Sequence, residues 1–361
     1  MNRSVERKRM VAPAIAPGEV VVAREFLHPD RGLVHCAAAP LLAEYLRATG
    51  LQVTLASFTR HNVGSARGAL FAASYLEPAG TAVGLAVAAS TDDPVAAAAA
   101  ADAVKAWSGI LRTRRILLAT WPEPPSCDAV LNAQAAVREF AARGDTVILI
   151  GRATPVTVRL AVCAHASTVC IHTAHDIDEL DVDPAHLSFI VVPGTPIEDA
   201  IYLVGKLRSR FPLVRGQHPD EFCYYASDRR ETLRSVANAS DLMLVCGAAG
   251  EHDTSELAEW SRQLTLHTHS IAMATQLRLP WLAQATTIGI AAAASARPDT
   301  IRDLIGVVSG LGPLSVVRRQ LSTEVVRQPR RTAGFLAQDN RAHPILPRSA
   351  GKDIEKCALP G

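Results

Sequence analysis

Short apolar runs recur along this chain, each about the length of one buried strand, with longer amphipathic stretches between them. The runs fall at residues 20–23, 53–56, 83–88, 116–119, 147–150, 189–192, 242–245, 271–274 and 287–291. Uninterrupted apolar runs of this size predict strands covered on both faces. Their alternation with helical patterns predicts an α/β chain with small, largely parallel sheets. Helices are expected over 128–143, 199–210, 231–239, 255–263 and 298–311, and the alanine-rich stretch 96–101 reads as the core of another.

Composition narrows the function classes. The chain of 361 residues is 48% hydrophobic and contains no apolar run of about eighteen residues, so no transmembrane helix is expected. Its formal net charge is only +2, with basic and acidic residues interspersed, which removes the electrostatic footprint of a nucleic-acid binder and leaves a small molecule as the expected partner. Arg3, Arg7, Lys8 and Arg9 precede a stretch broken by Pro13, Pro17 and Glu19, which is no secretory signal, so a cytoplasmic protein is expected. Seven cysteines in a long chain of that kind predict core thiols or cofactor ligands rather than a disulfide framework.

Three of those cysteines hold comparable places: Cys36, Cys127 and Cys223 each stand just ahead of a helical stretch and divide the chain nearly evenly. Backbone N–H groups and the helix dipole favour a thiolate at such a position. The spacing suggests three similar α/β domains, each offering one thiol at a helix N-terminus, over 18–119, 120–214 and 215–325, with flexible tails at 1–17 and 326–361. A proline-rich stretch at 120–126 and a Gly/Pro-containing one at 213–220 mark the boundaries.

The segment 208–312 carries RSRFP, DEFCYYASDRRE, LMLVCG and IGIAAAASARPDTI. It resembles the third domain of the 4-hydroxy-3-methylbut-2-enyl diphosphate reductase family, where a cluster-ligand cysteine follows an acidic pair and a GAS-type turn follows a strand. The likeness extends more thinly through 187–212 and from Cys127 to Gly151. In that register Cys127 takes the place of the second cluster cysteine, although ATWP at 119–122 echoes the family's ATCP with Trp121 for the cysteine. DRGLVHC at 30–36 resembles the family's PRGFC turn with two extra residues, so either Cys36 or Val34 takes the first ligand's place.

The resemblance implies three α/β domains around an iron–sulfur cluster of the 4Fe-4S type held by Cys36, Cys127 and Cys223. It implies reductive dehydroxylation of an allylic diphosphate in isoprenoid biosynthesis, with ferredoxin or flavodoxin as electron donor. His61 and Ser295 match diphosphate-binding positions, and the family's SSN triplet falls on Glu251, His252 and Asp253, making His252 and Asp253 substrate-binding candidates. The departures weigh against that substrate. Two carboxylates stand where a diphosphate is bound, and uncompensated like charges are costly at reduced dielectric. The family's HPEVEG-type run is replaced by RATPVTV at 152–158, so the proton-delivering residue is unknown. The alternative is a paralogue that kept the fold and lost the cluster or the diphosphate site, working as a binding or accessory protein.

Plainer roles stand beside these. Cys163, Cys170 and Cys246 read as small core hydrophobes. Asp253 suits the N-cap of the helix at 255–263, and Ser295 suits the cap of the helix near Pro298. His165, His172 and His175 match no standard zinc spacing, and no GxGxxG motif follows a strand.

Overall fold

The computed structural model describes residues 5–59, 67–77, 80–121, 128–164 and 168–324. His61, Cys127 and the segment 326–361 lie outside them. The chain begins with β1 (Glu6–Ala12), β2 (Glu19–His28), β3 (Gly32–His35), α1 (Ala39–Arg47), β4 (Gln52–Phe58), β5 (Gly68–Leu76), β6 (Ala82–Ser90) and α2 (Pro94–Ser108). These strands form one six-stranded sheet in the order β1-β5-β6-β3-β2-β4. The β1–β5, β5–β6 and β2–β3 ladders are antiparallel, and β2–β4 is parallel. This sheet is therefore mixed. The β2–β3 and β5–β6 connections are too short for a crossover helix, and a short connection can only return the chain antiparallel.

After β7 (Arg114–Ala119), the chain builds a second sheet through α3 (Asp128–Ala142), β8 (Thr146–Ile150), α4 (Pro155–Ala164), β9 (Thr168–Ile171), α5 (Ala174–Asp178), β10 (Leu187–Val191), α6 (Ile197–Arg210) and β11 (Arg215–Gly216). Its order is β11-β10-β8-β9, all parallel. A third sheet follows through α7 (Tyr225–Ala237), β12 (Leu242–Cys246), α8 (His252–Arg262), β13 (Thr268–Ile271), α9 (Leu279–Leu282), β14 (Thr287–Ala292), α10 (Pro298–Ser309) and β15 (Leu314–Arg319). Its order is β13-β12-β14-β7-β15, again all parallel. The strand β7, which the sequence reading places in the first domain, thus lies inside the third sheet.

Alternate side chains of the third sheet serve two cores, as the two-residue repeat of a strand requires. Ile116, Leu118, Leu242, Leu244, Ile288 and Ile290 face a core shared with α1, α2, α10 and the first sheet, whereas Leu117, Met243, Val245 and Ala291 face α7 and α8. Helix α2 is nucleated by Asp93, whose carboxylate accepts from Val95 N at 3.1 Å and Ala96 N at 2.9 Å, with Pro94 at the first helical position. Its buried Ala96, Ala100 and Ala103 and the large Trp107 fill the shared core.

The strand expected at 271–274 is displaced to Thr268–Ile271. The carboxamide of Gln276 accepts from Ala272 N at 2.6 Å and Met273 N at 3.2 Å, which turns the backbone into a short 3-10 segment instead. Of the thiols expected in cores, Cys246 is buried, Cys163 is half-buried and Cys170 is exposed. Cys170 stands on β9, which among the described residues is an edge strand of the second sheet. No helix among the described residues is long and apolar enough to cross a membrane.

Candidate functional site

Parallel strands deliver their carboxyl ends to one rim, and helices that start there point their N-termini at it, the usual location of a ligand crevice in α/β sheets. In the second sheet β8 runs into Gly151, β9 into His172 and Thr173, and β10 into Pro193, Gly194 and Thr195. Across from them stand Tyr225, Arg229 and Arg230 of α7 with His252, Glu256 and Trp260 of α8. Together they line a cleft of about 660 Å³ between the second and third sheets. Gly151 makes the close approach possible: its φ is +144°, and a Cβ there would lie 2.2 Å from the Thr195 hydroxyl.

Every arginine of this lining already has an acidic partner. Arg230 makes a bidentate pair with Asp199, both contacts 3.1 Å, and lies 4.8 Å over the Trp260 ring. Arg229 meets Asp253 at 2.6 Å and lies 4.6 Å over Trp121. Arg152 meets Glu256 at 3.3 Å. Within the lining itself Arg152, Arg229 and Arg230 face Glu198, Asp199 and Glu256, so the formal charges cancel. Burial pushes the Tyr225 phenol above its ordinary pKa; Arg229 opposes this, and the charges of Asp253 and Cys223 add to it.

His172 sits beside Asp176, Nδ1 to Oδ2 at 3.2 Å. Asp176 completes a capping box at α5 with Thr173, and its Oδ2 accepts the amides of His172 and Thr173 at 2.8 and 2.9 Å. Those amides hold the Asp176 carboxyl down at about 2, with the Thr173 hydroxyl assisting.

At the lip of the cleft, the three matched positions of the third sheet converge. Glu251, not Asp253, is the N-cap of α8. Its Oε2 accepts from Thr254 N at 3.0 Å, the Thr254 hydroxyl at 3.1 Å and the Ser295 hydroxyl at 3.2 Å. These hydrogen bonds, the Thr254 amide first, lower the Glu251 pKa. Asp253 instead accepts from Ala294 N at 2.7 Å. Ser295 does not cap α10, whose N-cap is Arg297 with no side-chain bond; its Oγ accepts from Ala248 N at 3.0 Å. Gly247 is required here, because a Cβ would fall 2.1 Å from the Thr254 hydroxyl. His252 is exposed on the cleft side.

Of the three cysteines expected as ligands, Cys36 and Cys223 lie among the described residues. Cys36 is 3% exposed within the core around the first sheet; burial pushes its thiol far up, and its hydrogen-bonding neighbour is the backbone of Ala86. Val34 is fully buried in the same core. Trp121 packs beside the third sheet under Arg229. Cys223, two residues ahead of α7, is half-buried and close enough to Tyr225 to act on its phenol. A cluster shared among three domains needs thiolates on a common cavity, and the described residues offer Cys223 alone beside this cleft.

Sequence reasoning missed Arg229 and Arg230, although both stand in the quoted DRRE run, and it missed Glu198, Asp199 and Trp260 altogether. Adjacent arginines just after a candidate ligand cysteine were the available signal.

The LytB protein family model matches residues 124–309. The match covers the second sheet and most of the third and includes Cys127 and Cys223, whereas Cys36 lies outside it. The chain is 31% identical over 208 residues to 4-hydroxy-3-methylbut-2-enyl diphosphate reductase 2 of Mycobacterium bovis, covering 56% of this chain and 62% of that protein. It is 30% identical over 190 residues to the reductase of Acidithiobacillus ferrooxidans, covering 52% and 60%. The chain therefore spans less than two thirds of the length of these relatives. Among solved structures, the E-1-hydroxy-2-methyl-but-2-enyl-4-diphosphate reductase of Plasmodium falciparum is similar at 18% identity and a TM-score of 0.45, over 60% of this chain and 74% of that one.

Proposed function

The chain belongs to the LytB protein family, and on that premise we propose that it is a divergent paralogue of the diphosphate reductases, binding a small molecule of low net charge in the cleft between its second and third sheets. The observation that carries this reading is the pairing of Arg152, Arg229 and Arg230 with Glu256, Asp253 and Asp199. A diphosphate needs several uncommitted donors of positive charge. Each guanidinium here is neutralised in cis, and two are stacked on tryptophans. Tyr202, Tyr225, Trp260, Thr195 and His252 then supply the aromatic surface and the hydroxyl and imidazole groups that orient a neutral or zwitterionic ligand.

A second reading is reductive dehydroxylation of an allylic diphosphate on an iron–sulfur cluster, with ferredoxin or flavodoxin as electron donor. It is favoured by the half-buried position of Cys223 at the head of α7 and by the family of the chain. Such a cluster would supply the electrons and an open iron for the substrate oxygen. Cys36, Cys127 and Cys223 would be its candidate ligands, of which Cys36 is buried in the core around the first sheet.

Anaerobic purification with iron and sulfide quantified, followed by titration with 4-hydroxy-3-methylbut-2-enyl diphosphate, separates the two. The paralogue reading expects iron-free protein and no saturable diphosphate binding. A complement of roughly four irons per chain, lost in Cys223→Ser and accompanied by diphosphate turnover, would replace it with the reductase reading.

A further inference from the structure

The arginines of the cleft are all paired with carboxylates, whereas β13, the edge strand of the third sheet among the described residues, is bordered by cations that are not. His269 on this strand stacks on Trp281 of α9, ring centroids 3.8 Å apart and planes 9° from parallel, and Arg278 stands 5.6 Å over the same tryptophan. Arg262 closes the last turn of α8, and His267 directly precedes β13. Arg262, His267 and Arg278 are exposed, and none of them makes an ion pair among the described residues. Burial lowers the His269 pKa, and the charges of His267, Arg262 and Arg278 add to that; no negative charge opposes them. In the midst of these cations Leu266 is 95% exposed. Its turn is pinned rather than slack: Thr265 Oγ1 donates to Ala237 O at 2.6 Å, and Thr268 Oγ1 donates to Thr265 O at 3.1 Å, both bonds buried.

We infer that this edge, with Leu266 at its centre and Arg262, His267 and Arg278 around it, is a docking surface for an acidic protein segment that presents an apolar side chain between carboxylates. A rigid apolar anchor inside a charged rim is the make-up of a protein interface. Charge complementarity selects the occupant, because carboxylates supply the negative charge that the chain's own residues do not bring here. A phosphate backbone would use the cations and leave Leu266 in water. A second copy related by a two-fold axis would set the same cations against one another. None of these residues lines the cleft, so the inference is independent of which small molecule the cleft takes.

The test titrates the full-length chain into a fluorescein-labelled glutamate-rich peptide with one central leucine and follows anisotropy. The same peptide with serine for leucine, and labelled oligothymidylate, are run beside it. The leucine peptide is expected to bind most tightly, with affinity falling as ionic strength rises. Arg262→Gln with Arg278→Gln should weaken it roughly tenfold, and Leu266→Ser should abolish the difference between the two peptides. Arg302→Gln, which removes an exposed guanidinium already paired with Asp299 at 2.7 Å, should leave binding unchanged. Bound carboxylates should also raise the His269 pKa, read from the histidine ring signals by nuclear magnetic resonance and assigned with His269→Gln. Absence of peptide binding overturns the inference, as does a double variant that binds like wild type or tighter binding of oligothymidylate than of the leucine peptide. A homodimer in sedimentation that Leu266→Ser disperses overturns it as well. Should the double variant lose its fold, Arg262→Gln alone decides the matter: a several-fold weakening supports the inference and none overturns it.

Discussion

Replacing Arg114 with methionine should destabilise the chain by about 2–4 kcal/mol. Arg114 opens β7, is 2% exposed, and donates to four backbone carbonyls: Ile110 at 2.8 Å, Leu311 at 3.0 Å, Leu282 at 3.1 Å and Arg112 at 3.4 Å. It thereby ties the ends of α2, α9 and α10 beneath the third sheet. Leu311 O also accepts from Arg112 N at 3.1 Å, so it keeps a partner when the guanidinium is removed. The carbonyls of Ile110 and Leu282 lose these bonds, and each buried orphan costs about 1–3 kcal/mol. Against that stands the relief of no longer burying a cation whose bonded partners are all neutral. Burial, with a smaller push from Arg112, lowers the Arg114 pKa to about 10, which shows the size of the desolvation that methionine would remove. The orphaned acceptors should still win, because methionine fills the stem's volume without supplying a donor. Urea unfolding of wild type and Arg114→Met, followed by circular dichroism, reads the difference directly. A neutral or stabilising substitution would refute the reasoning and show that guanidinium desolvation outweighs its hydrogen bonds.

Two further outcomes follow from burial and charge. In native protein, maleimide labelling read by mass spectrometry should modify Cys170 and Cys223 while leaving Cys36 and Cys246 untouched until denaturant is added, because both are buried and desolvation raises their thiols; labelling of Cys36 at the rate of Cys170 would contradict its core placement. Asp176 has a folded pKa of about 2, below its ordinary 3.8, so the stability it contributes is present above pH ~4 and is lost as pH falls through ~2. The unfolding midpoints of wild type and Asp176→Asn should therefore differ near neutrality and converge across that window; a constant difference would show that the carboxylate's charge is not what holds the His172 turn.

The α/β class was legible because buried parallel strands are nearly continuous in apolar residues: ILLA, VILI, LMLVC and TIGIAA announce β7, β8, β12 and β14 by themselves. Other strands gave a weaker signal, although the run 53–56 did point to the edge strand β4. The edge strand β15 is mostly exposed and carries mixed residues, and the interior strand β5 is alanine-rich, a composition that suits either helix or strand. Likewise Ser295, His252 and Asp253 could be named from motif register; His252 lines the cleft, and Asp253 and Ser295 lie together where Ala294 N donates to Asp253 and Ser295 donates to Glu251.

Local sequence thus determined where strands and helices form and which segment carries the family pattern, since strand burial and helix starts are written in neighbouring residues. Tertiary structure alone decided the rest. It moved β7 out of the first domain into the third sheet, because a parallel strand finds its partner through non-local pairing that no local pattern encodes. It placed Cys36 in a core rather than on the cleft. It also chose the partners of two carboxylates, since only in three dimensions do the amides of Thr254 and Ala294 and the guanidinium of Arg229 meet Glu251 and Asp253.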